Sequence, residues 1–362
     1  MKEGTNKFQI MVVGLWLAFS VVMAPFLVVK TVDAQEEDSW TTLEPMPTAR
    51  SGHGIAVVDG KIYVMGGSFG RGPLGNNEVY TPITDTWITK NSIPTPRSSF
   101  GIAVVGDWIY VIGGGVTGWV NSSINEAYNC QTDTWETKTQ MPTSRAFVVA
   151  HEVDGKIYVM AGCTFPHPSF PTLCSKTEIY DPLTDSWTTG APMPNYEGLG
   201  MPEDMASSVS ENKIYIIYEE TLYIYNVNTN SWSFGPDIPT RLRGKAACFT
   251  NGVFAPKRLH VTGLDLHYVY NPETENWTTA TPIPNSQYFT QVGVVDDILY
   301  AIGGGIGDPL GTPGVGFEST NNNEKYTPVG YIPEFPSWLI LPLFLIVTFS
   351  IIVLKKSLIS KT

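Results

Sequence analysis

The chain has 362 residues, of which 15% are charged and 12% aromatic, and it contains 34 glycines and 27 prolines. This composition is typical of many short strands joined by turns, and it excludes an architecture of long amphipathic helices. The 34 acidic residues outnumber the 22 basic ones and give a formal net charge of −12. Such a surface repels nucleic acid, so we expect no nucleic-acid partner.

Residues 1–34 have the pattern of a secretory signal peptide. Lys2 and Lys7 precede an apolar stretch from Phe8 to Val29, and the small residue Ala34 stands where cleavage is expected. A basic start, an apolar middle and a small-residue site are the three parts of such a signal. The apolar stretch is long for a signal, so the alternative is an uncleaved membrane anchor.

A tryptophan recurs at nearly constant spacing, at Trp40, Trp87, Trp135, Trp187, Trp232 and Trp277. The intervals are 47, 48, 52, 45 and 45 residues, and a tyrosine stands seven residues before each tryptophan after the first. A period of about 45 to 50 residues indicates a propeller or a solenoid.

Each period divides into four strand-like segments, which read GIAVVD, KIYVMGG, NEVYT and DTWIT in the first repeat. Neighbouring segments should pair as antiparallel hairpins. A four-stranded sheet cannot bury both of its faces by itself, but radial stacking against copies of itself covers them. The repeat therefore predicts a ring of four-stranded blades.

A double glycine ends the second strand of three repeats, at Gly66–Gly67, Gly113–Gly114 and Gly303–Gly304. The doublet is altered in the others, to Ala161–Gly162, Tyr218–Glu219 and Thr262–Gly263. Together with the Tyr and Trp that follow, this pattern resembles the kelch repeat, and the resemblance covers about residues 38–328. It implies an all-β fold, a six-bladed kelch β-propeller of four-stranded antiparallel blades at residues 35–330.

The two ends of this region should complete one blade together. Residues 39–42 (SWTT) are a tryptophan strand without a blade, and the last repeat lacks its tryptophan strand. Kelch rings close by letting one terminus complete the blade of the other, which removes exposed sheet edges. We therefore expect the N-terminal strand to complete the sixth blade.

The direction of the strands predicts two unlike faces of the ring. The loops that lead into the first strands and the loops between second and third strands share one face, here named the upper face. The chain leaves the sixth blade on the opposite, lower face. Long connections follow the glycines in blades one, two, three and six. Long loops on a rigid scaffold usually contain the residues that recognise a ligand. The alternative is that these Gly-rich insertions have no function and are merely tolerated.

The C-terminal end predicts a membrane anchor. A short linker at 331–337 leads to seventeen uncharged residues at 338–354, followed by Lys355 and Lys356. Such a segment predicts a transmembrane helix with the basic tail 355–362 in the cytoplasm and the propeller outside the cell. The tail, headed by Pro-Glu-Phe, resembles the C-terminal anchors of archaeal surface proteins, which in part of that group are removed by a membrane transpeptidase.

Removal of both ends makes the exterior part more acidic than the whole chain. Three of the 22 basic residues lie in 1–34 and three in 338–362, and two of the 34 acidic residues lie in 1–34. The remaining 16 basic and 32 acidic residues give a net charge of −16.

Export permits disulfides and glycosylation. Cys163 and Cys174 stand at the two ends of one predicted hairpin connection, and we expect them to form a disulfide. Cys130 and Cys248 fall in different blades and are expected to remain thiols. The sequons at Asn121 (NSS) and Asn276 (NWT) are potential glycosylation sites, and Asn121 is the better one because Asn276 precedes a structural tryptophan.

Arginines recur in the loops that lead into the blades. Arg50, Arg97 and Arg145 each stand twelve residues before the isoleucine of the next strand. The kelch resemblance implies that such an arginine edges the central opening and, in some members, contacts acidic ligands. Guanidinium groups suit carboxylates on acidic peptides or sialic-type sugars. The alternative is that each arginine only ties its loop to the backbone of a neighbouring blade.

The other three blades depart from this arginine pattern. Blade five has Arg241 and Arg243 in a less regular register, blade four has Glu203 and Asp204 beside Pro202, and blade six has Gln287. The expected ligand-binding set is completed by Arg241, Arg243, Glu203 and Asp204.

The sequence predicts no catalytic residue, no metal site and no cofactor, because the five histidines lack ligand spacing and no nucleophilic triad stands out. Copper oxidases resembling galactose oxidase need a Tyr and His set and an extra domain that are not found. We expect a monomeric surface module that binds a protein or a glycan, acidic ligands included, for recognition or adhesion. The alternatives are a small enzyme resembling kelch sialate mutarotases, with Glu203 and Asp204 as its carboxylates, and a structural envelope component.

Overall fold

The computed structural model describes residues 36–332, apart from residues 71, 119, 165–170, 200–204, 286 and 308–316. The predicted signal peptide, the predicted transmembrane helix and the basic tail lie outside these residues. Within the described ranges, no helix is long and apolar enough to cross a membrane.

The described residues form 33 strands, beginning with β1 (Ser39–Thr42). Blade one contains β2 (Gly54–Val58), β3 (Lys61–Met65), β4 (Ser68–Phe69), β5 (Gly72–Pro73), β6 (Asn77–Thr81) and β7 (Thr86–Lys90). Blade two contains β8 (Gly101–Val105), β9 (Trp108–Ile112), β10 (Gly115–Val116), β11 (Val120–Asn121), β12 (Asn125–Asn129) and β13 (Thr134–Lys138). Blade three contains β14 (Val149–Val153), β15 (Lys156–Met160), β16 (Cys163–Thr164), β17 (Thr172–Leu173), β18 (Thr177–Asp181) and β19 (Ser186–Gly190).

The second half of the ring follows the same plan. The loop into blade four contains β20 (Gly198–Leu199), and the blade contains β21 (Met205–Ser210), β22 (Lys213–Tyr218), β23 (Thr221–Asn226) and β24 (Ser231–Phe234). Blade five contains β25 (Ala246–Phe249), β26 (Leu259–Gly263), β27 (Leu266–Asn271) and β28 (Asn276–Thr279). Blade six contains β29 (Gln291–Val295), β30 (Ile298–Ile302), β31 (Gly305–Gly307), β32 (Phe317–Ser319) and β33 (Asn323–Thr327).

Six four-stranded antiparallel sheets confirm the predicted propeller. In blade one the sheet order from axis to rim is β2, β3, β6 and β7. The second strand is almost wholly buried because blades pack against both of its faces, whereas the outermost strand consists of exposed and half-buried residues. This gradient explains why the inner strands are continuous runs of Val, Ile and Tyr.

The N-terminal strand closes the ring as predicted. Strand β1 pairs with β33, so that Trp40 lies opposite Tyr326 in the outer part of blade six. The hydroxyl of Tyr326 donates to Asp38 at 2.8 Å, and the backbone N–H of Thr281 donates to the same carboxylate at 2.8 Å. The indole of Trp40 donates to the carbonyl of Thr281 at 2.8 Å. The first and last strands are thereby fastened to blade five.

The tyrosine and tryptophan of each repeat serve the same contact between neighbouring blades. In blade two, Tyr128 donates to Asp133 at 2.7 Å, and the backbone N–H of Asn91, from the end of blade one, donates to that carboxylate at 3.0 Å. Trp135 then donates to the carbonyl of Asn91 at 2.9 Å. Equivalent indole bonds join the other blades, from Trp87, Trp187, Trp232 and Trp277. The constant seven-residue spacing between tyrosine and tryptophan therefore reflects a hydrogen-bonded contact between neighbouring blades.

The double glycine is required by a close approach of backbones. Gly114 has a left-handed φ of 95°, and a Cβ there would lie 2.7 Å from the carbonyl oxygen of Ser98. In blade three the first glycine is replaced by Ala161, which adopts φ 57°, whereas Gly162 is kept. A Cβ at the first glycine also meets backbone, since at Gly113 it would lie 2.8 Å from the carbonyl oxygen of Arg145. The first position nevertheless accepts an alanine in blade three, whereas the second glycine is retained there.

The chain leaves the ring on the lower face. After β33 the backbone N–H of Ile332 donates to the carbonyl of Phe254 at 2.6 Å. Phe254 belongs to the loop between the first and second strands of blade five, which marks the lower face by strand direction. The described chain therefore ends beside that loop.

Candidate functional site

A central cavity of about 300 Å³ runs along the axis of the ring. The first strands of all six blades and the loops that lead into them line it. Its polar lining includes His151, Ser207, Lys245 and Gln291. Apolar residues are the more numerous in the lining, but the surface that they leave exposed to the cavity is more polar than apolar. The cavity therefore differs from the mainly apolar pockets that usually hold small ligands.

The histidines near the axis are neutral and bonded to the protein. His151 Nε2 lies 2.8 Å from Ser207 Oγ of the next blade, and burial lowers the pKa of His151 to about 4. His53 Nε2 lies 3.1 Å from the carbonyl of Ile302, and burial, with a smaller contribution from the charge of Arg50, lowers its pKa to about 3. Both side chains join adjacent blades.

Lys245 is the basic residue of the cavity lining, and it is also buried. Its ammonium group donates to the carbonyl of Leu242 at 3.0 Å and to the carbonyl of Glu219 at 3.1 Å. The ammonium charge thus stabilises the turn at Glu219 in the neighbouring blade four, while the Lys245 side chain borders the cavity.

The mouth of the cavity on the upper face contains strained backbone. Ser99, Phe147 and Phe289 have left-handed φ values of 54°, 54° and 59°. The N–H of Ser99 donates to the carbonyl of Gly52 at 2.8 Å, and the N–H of Phe147 donates to the carbonyl of Ser99. This conformation holds two half-buried phenylalanines at the edge of the opening, and such conformations of bulky residues often accompany function.

The structure places the predicted arginines in the interior rather than on the upper face. The guanidinium of Arg97 has no exposed area and donates to the carbonyls of Val111, Gly113 and Ile124. It also donates to Glu126 Oε2 at 2.7 Å. Burial lowers the pKa of Arg97 to about 10, and the charge of Glu126 opposes that shift. Arg97 is therefore a charged strut inside blade two.

Arg50 and Arg145 repeat this arrangement in blades one and three. Arg50 lies 2.9 Å from Glu78 and Arg145 lies 2.7 Å from Glu178, and all four side chains are buried. A threonine two residues before each arginine bonds the other carboxylate oxygen of the same glutamate, from Thr48, Thr95 and Thr143. We name this Thr-x-Arg/Glu arrangement the loop clamp.

The clamp residue also joins its loop to the preceding blade through the main chain. The carbonyl oxygen of Arg97 accepts the N–H of Gly67 at 2.9 Å, and that of Arg145 accepts the N–H of Gly114 at 2.8 Å. The carbonyl of Arg50 accepts the N–H of Gly304 in blade six at 3.0 Å. The arginine side chain thus binds its own blade, and the arginine backbone binds the neighbouring blade. These are the contacts expected if each arginine only ties its loop into the ring. Binding of an acidic ligand by these arginines stays a prediction that this buried geometry does not support.

Blade six keeps the glutamate of the clamp without the arginine. Glu324 is buried and accepts a bond from Asn285 at 2.8 Å, and burial raises its pKa. Gln287, in the arginine position, accepts a bond from Thr320 at 2.7 Å instead.

The remaining predicted ligand-binding residues lie elsewhere. Arg241 and Arg243 are exposed on the upper face of blade five, and Arg241 lies 3.6 Å from Glu219. Glu203 and Asp204 fall outside the described residues. The structure therefore does not bring the predicted set together into one site.

The clamp glutamates were not singled out from the sequence. Each stands second in the third strand, after Asn or Thr, at Glu78, Glu126, Glu178 and Glu324. Recurrence at this strand position was the available signal. To use this signal, one would need to know that the arginine loop contacts a strand about thirty residues further along the chain. The Tyr and Trp spacing alone does not show that contact.

The two cysteines of the predicted disulfide are thiols in this structure. Cys163 lies opposite Leu173 in the hairpin of β16 and β17, so Cys174 is displaced by one residue from the cross-strand position. Successive residues of a strand face opposite sides, which disfavours a bridge in this register. Cys130 is half-buried and Cys248 is buried, with its pKa raised by burial.

The two sequons differ in exposure. Asn276 begins the outer strand β28 and is exposed, whereas Asn121 lies in β11, is half-buried and approaches the carbonyl of Cys163 at 3.5 Å. Glycosylation at either residue stays a prediction, and exposure now ranks Asn276 above Asn121.

The upper face is walled on one side. Short hairpins rise from blades six, one, two and three, formed by β31–β32, β4–β5, β10–β11 and β16–β17. The hairpins of blades six and one touch, because Ser319 Oγ donates to the carbonyl of Ser68 at 3.3 Å. Strand β17 of the blade-three hairpin pairs with β20 in the loop that leads into blade four. Blades four and five have only two-residue turns at the corresponding place.

Among the described residues, the wall exposes a large apolar side chain in each of three adjacent blades. These are Ile306 in β31, Phe69 in β4 and Val120 in β11, with Phe69 and Val120 both 57% exposed. The low side across the ring carries charged residues instead, among them Glu219 and Arg241. The upper face thus has an apolar arc and a charged arc.

Metal-binding geometry is not found in the described part of the chain. No group of three or more His, Cys, Asp or Glu side chains in the described ranges could hold a metal ion.

Comparison with known proteins agrees with the repeat pattern. The sequence matches the family described as "FKB95, Kelch-repeats domain" over residues 88–254 and the "Kelch motif" over residues 49–92. It is 30% identical over 99 residues to the Kelch-like protein terF of Aspergillus terreus, which is 24% of this chain and 21% of that protein. It is 31% identical over 107 residues to Kelch-like protein 15 of Danio rerio, which is 26% of this chain and 17% of that protein. The matches span about a fifth of these relatives' length.

Proposed function

We propose that this six-bladed propeller, whose sequence matches kelch-repeat models over residues 49–254, is a cell-surface recognition module that binds a protein partner through the upper face. Kelch propellers typically bind proteins. The part of the upper face that we assign to the contact is the apolar arc of Ile306, Phe69 and Val120, facing across the cavity mouth to the charged arc.

The observation that carries this proposal is the exposed apolar arc on a raised wall. Turns and short hairpins are usually polar at their tips. Three large apolar side chains on adjacent hairpins form the kind of surface that a partner protein buries. Each hairpin is bridged to the loop that leads into its own blade, and the hairpin of blade six is bonded to that of blade one, so little conformational freedom is lost on binding.

The charged arc supplies orientation rather than most of the affinity. Glu219 and Arg241 lie on the low side of the ring, where a partner seated on the wall would also reach. Exposed charges at the rim of a contact mainly affect the association rate and the choice of partner. Because the clamp arginines are buried, the proposal does not depend on them or on an acidic ligand.

Attachment to the membrane is part of the proposal. Residues 338–354 are uncharged and followed by two lysines, a pattern that predicts a membrane span with the propeller outside. A recognition module held at the surface in this way would present its upper face away from the bilayer.

The test uses the full-length chain in phosphatidylcholine nanodiscs. A photo-crosslinking amino acid at position 69 or 120 should capture a protein from the exterior of cells of the source organism, and the same label at position 88 on the outer strand β7 should not. The captured protein is then purified and its affinity measured directly. Replacement of Phe69, Val120 and Ile306 by serine should weaken binding at least tenfold, which corresponds to about 1.4 kcal/mol.

Ile88→Ser is the matched control, because Ile88 is also exposed but lies on the rim of blade one. It should leave the affinity unchanged. Equal binding by the triple variant and the natural chain would reject the apolar arc as the contact, as would an equal loss in the control.

A further inference from the structure

A second apolar surface lies on the lower face, where the described chain ends. Val253 is 69% exposed, and Val329 and Ile332 are similarly exposed. They are held next to one another because the N–H of Ile332 donates to the carbonyl of Phe254, and the rings of Phe254 and Tyr331 lie 6.3 Å apart. We name these five residues the exit patch.

The exit patch is held in place by a buried carboxylate. Asp297, which has no exposed area, accepts the backbone N–H groups of Asn251, Val253, Phe254 and Ala255. The other half of the patch is fixed by the N–H of Gly330, which donates to Glu37 at 2.9 Å. The fold therefore holds apolar side chains in solvent instead of letting them turn inward.

Other turns of the lower face show the same feature. Ile83 and Leu183 are 96% and 95% exposed, each directly after a proline in the turn between third and fourth strands. Val329 follows Pro328 at the matching place after the third strand of blade six. The matching residue of blade five is Glu273, so an apolar residue is not required by the turn itself. Apolar tips are thus a property of particular blades on this face.

The place where the chain leaves the propeller indicates what covers the exit patch. Only residues 333–337 separate Ile332 from the apolar segment that starts at Trp338. Five or six extended residues reach at most about 20 Å, so a membrane that contains this segment lies close to the exit patch. Tyr331 and the neighbouring cations Lys257 and Arg258 are residue types that suit the bilayer interface.

We propose that the exit patch rests on the lipid bilayer, with Ile83 and Leu183 as further contact points, so that the propeller is docked on the membrane and does not sway on its linker. The inference rests on the membrane attachment proposed above. Asp59, Asp107 and Asp154 lie in other turns of the lower face and repel anionic headgroups. The contact should therefore form on phosphatidylcholine alone and should not need anionic lipid.

The experiment measures the depth of single residues in liposomes. The full-length chain is placed in phosphatidylcholine liposomes with a fluorescent amino acid at position 253, 83 or 183, or at position 120 on the upper face as control. Phosphatidylcholine with a spin label near the headgroup should quench position 253 at least twofold more than position 120. The quenching at positions 83 and 183 should lie between these two.

A second variant tests the contact itself. With the fluorophore at position 329, Val253→Asp should lower the quenching by lipid at least twofold, whereas Val120→Asp should leave it unchanged. Thermal unfolding should be the same in both variants, since both side chains are exposed.

The outcomes separate this inference from the attachment. Release of the chain from liposomes by alkaline carbonate would reject both. Retention of the chain with equal quenching at positions 253 and 120 would reject the docked patch alone. Dimers in nanodiscs that hide position 253 from lipid would assign the patch to a second copy and would also overturn the inference.

Discussion

Arg97 Nη2 lies 2.7 Å from Glu126 Oε2, and the two side chains are 0% and 4% exposed. The pair lies inside blade two, where the same guanidinium also donates hydrogen bonds to three backbone carbonyls. A buried charge pair is costly to break because the remaining partner keeps its charge without a counterion. The loop that leads into blade two therefore depends on this pair for its conformation.

Arg97→Ala should destabilise the propeller by about 3 to 5 kcal/mol, because it leaves Glu126 buried without its cation. Urea unfolding of the purified chain measures the change. Arg243→Ala, at an exposed position, should change stability by less than about 0.5 kcal/mol. Unchanged unfolding of the Arg97 variant would reject the strut and restore the ligand-binding interpretation.

Asp38→Ala should destabilise the ring by about 2 kcal/mol, because the carboxylate accepts bonds from Tyr326 and from the N–H of Thr281. Thermal unfolding is the measurement, with Glu273→Ala in an exposed turn as the control. A loss no larger than that of the control would show that strand pairing alone closes the ring.

Gln287→Arg should stabilise blade six by about 1 kcal/mol near neutral pH. The new guanidinium would meet Glu324, whose pKa is raised by burial, and would rebuild the clamp seen in blades one to three. Gln131→Arg on the exposed turn of blade two is the control. A lower unfolding midpoint for the Gln287 variant would contradict the equivalence of the two loops.

Stability should fall on acidification between about pH 6.5 and pH 4. Burial lowers the pKa of His267 to about 4 and that of His260 well below its ordinary value. His260 Nδ1 lies 3.0 Å from His267 Nε2, beside Tyr326 at the ring closure. In this window the unfolded chain binds protons that the folded chain excludes, so each such histidine lowers stability by about 1.4 kcal/mol per pH unit.

His267→Gln should make this dependence shallower by about one proton, measured as the slope of unfolding free energy against pH. His53 and His151 contribute with the same sign and remain in the variant. A stability that is constant from pH 7 to pH 5 in the natural chain would contradict the neutral, buried state of these histidines.

The number of blades and the closure of the ring could be predicted because each depends on local repetition. Trp87 and Trp135 occupy the same place in successive blades, and their indoles must find the same carbonyl of the preceding blade. A contact of fixed geometry between blades imposes a fixed spacing on the residues that form it. The leftover tryptophan strand at Trp40 then implied a partner in the last blade.

The role of the arginines could not be predicted in the same way. Spacing located Arg97 correctly in its loop, but whether its side chain faces the cavity or the blade depends on Glu126, which is in another strand of the sheet. Spacing within one segment contains no information on that contact. The apolar arc was missed for a related reason, since Phe69 and Val120 are ordinary residues until the hairpins place them on one wall.

The contact that closes the ring also constrains the order of folding. Tyr326 and Asp38 are 288 positions apart in the chain, so this bond forms only after nearly all of the propeller has been synthesised. Contacts of such long separation are slow to form. Until then β1 is a strand without a partner and blade six has an open edge. Because synthesis proceeds from the N-terminus, residues 39–42 emerge before the other strands of the propeller and wait longest for their partner.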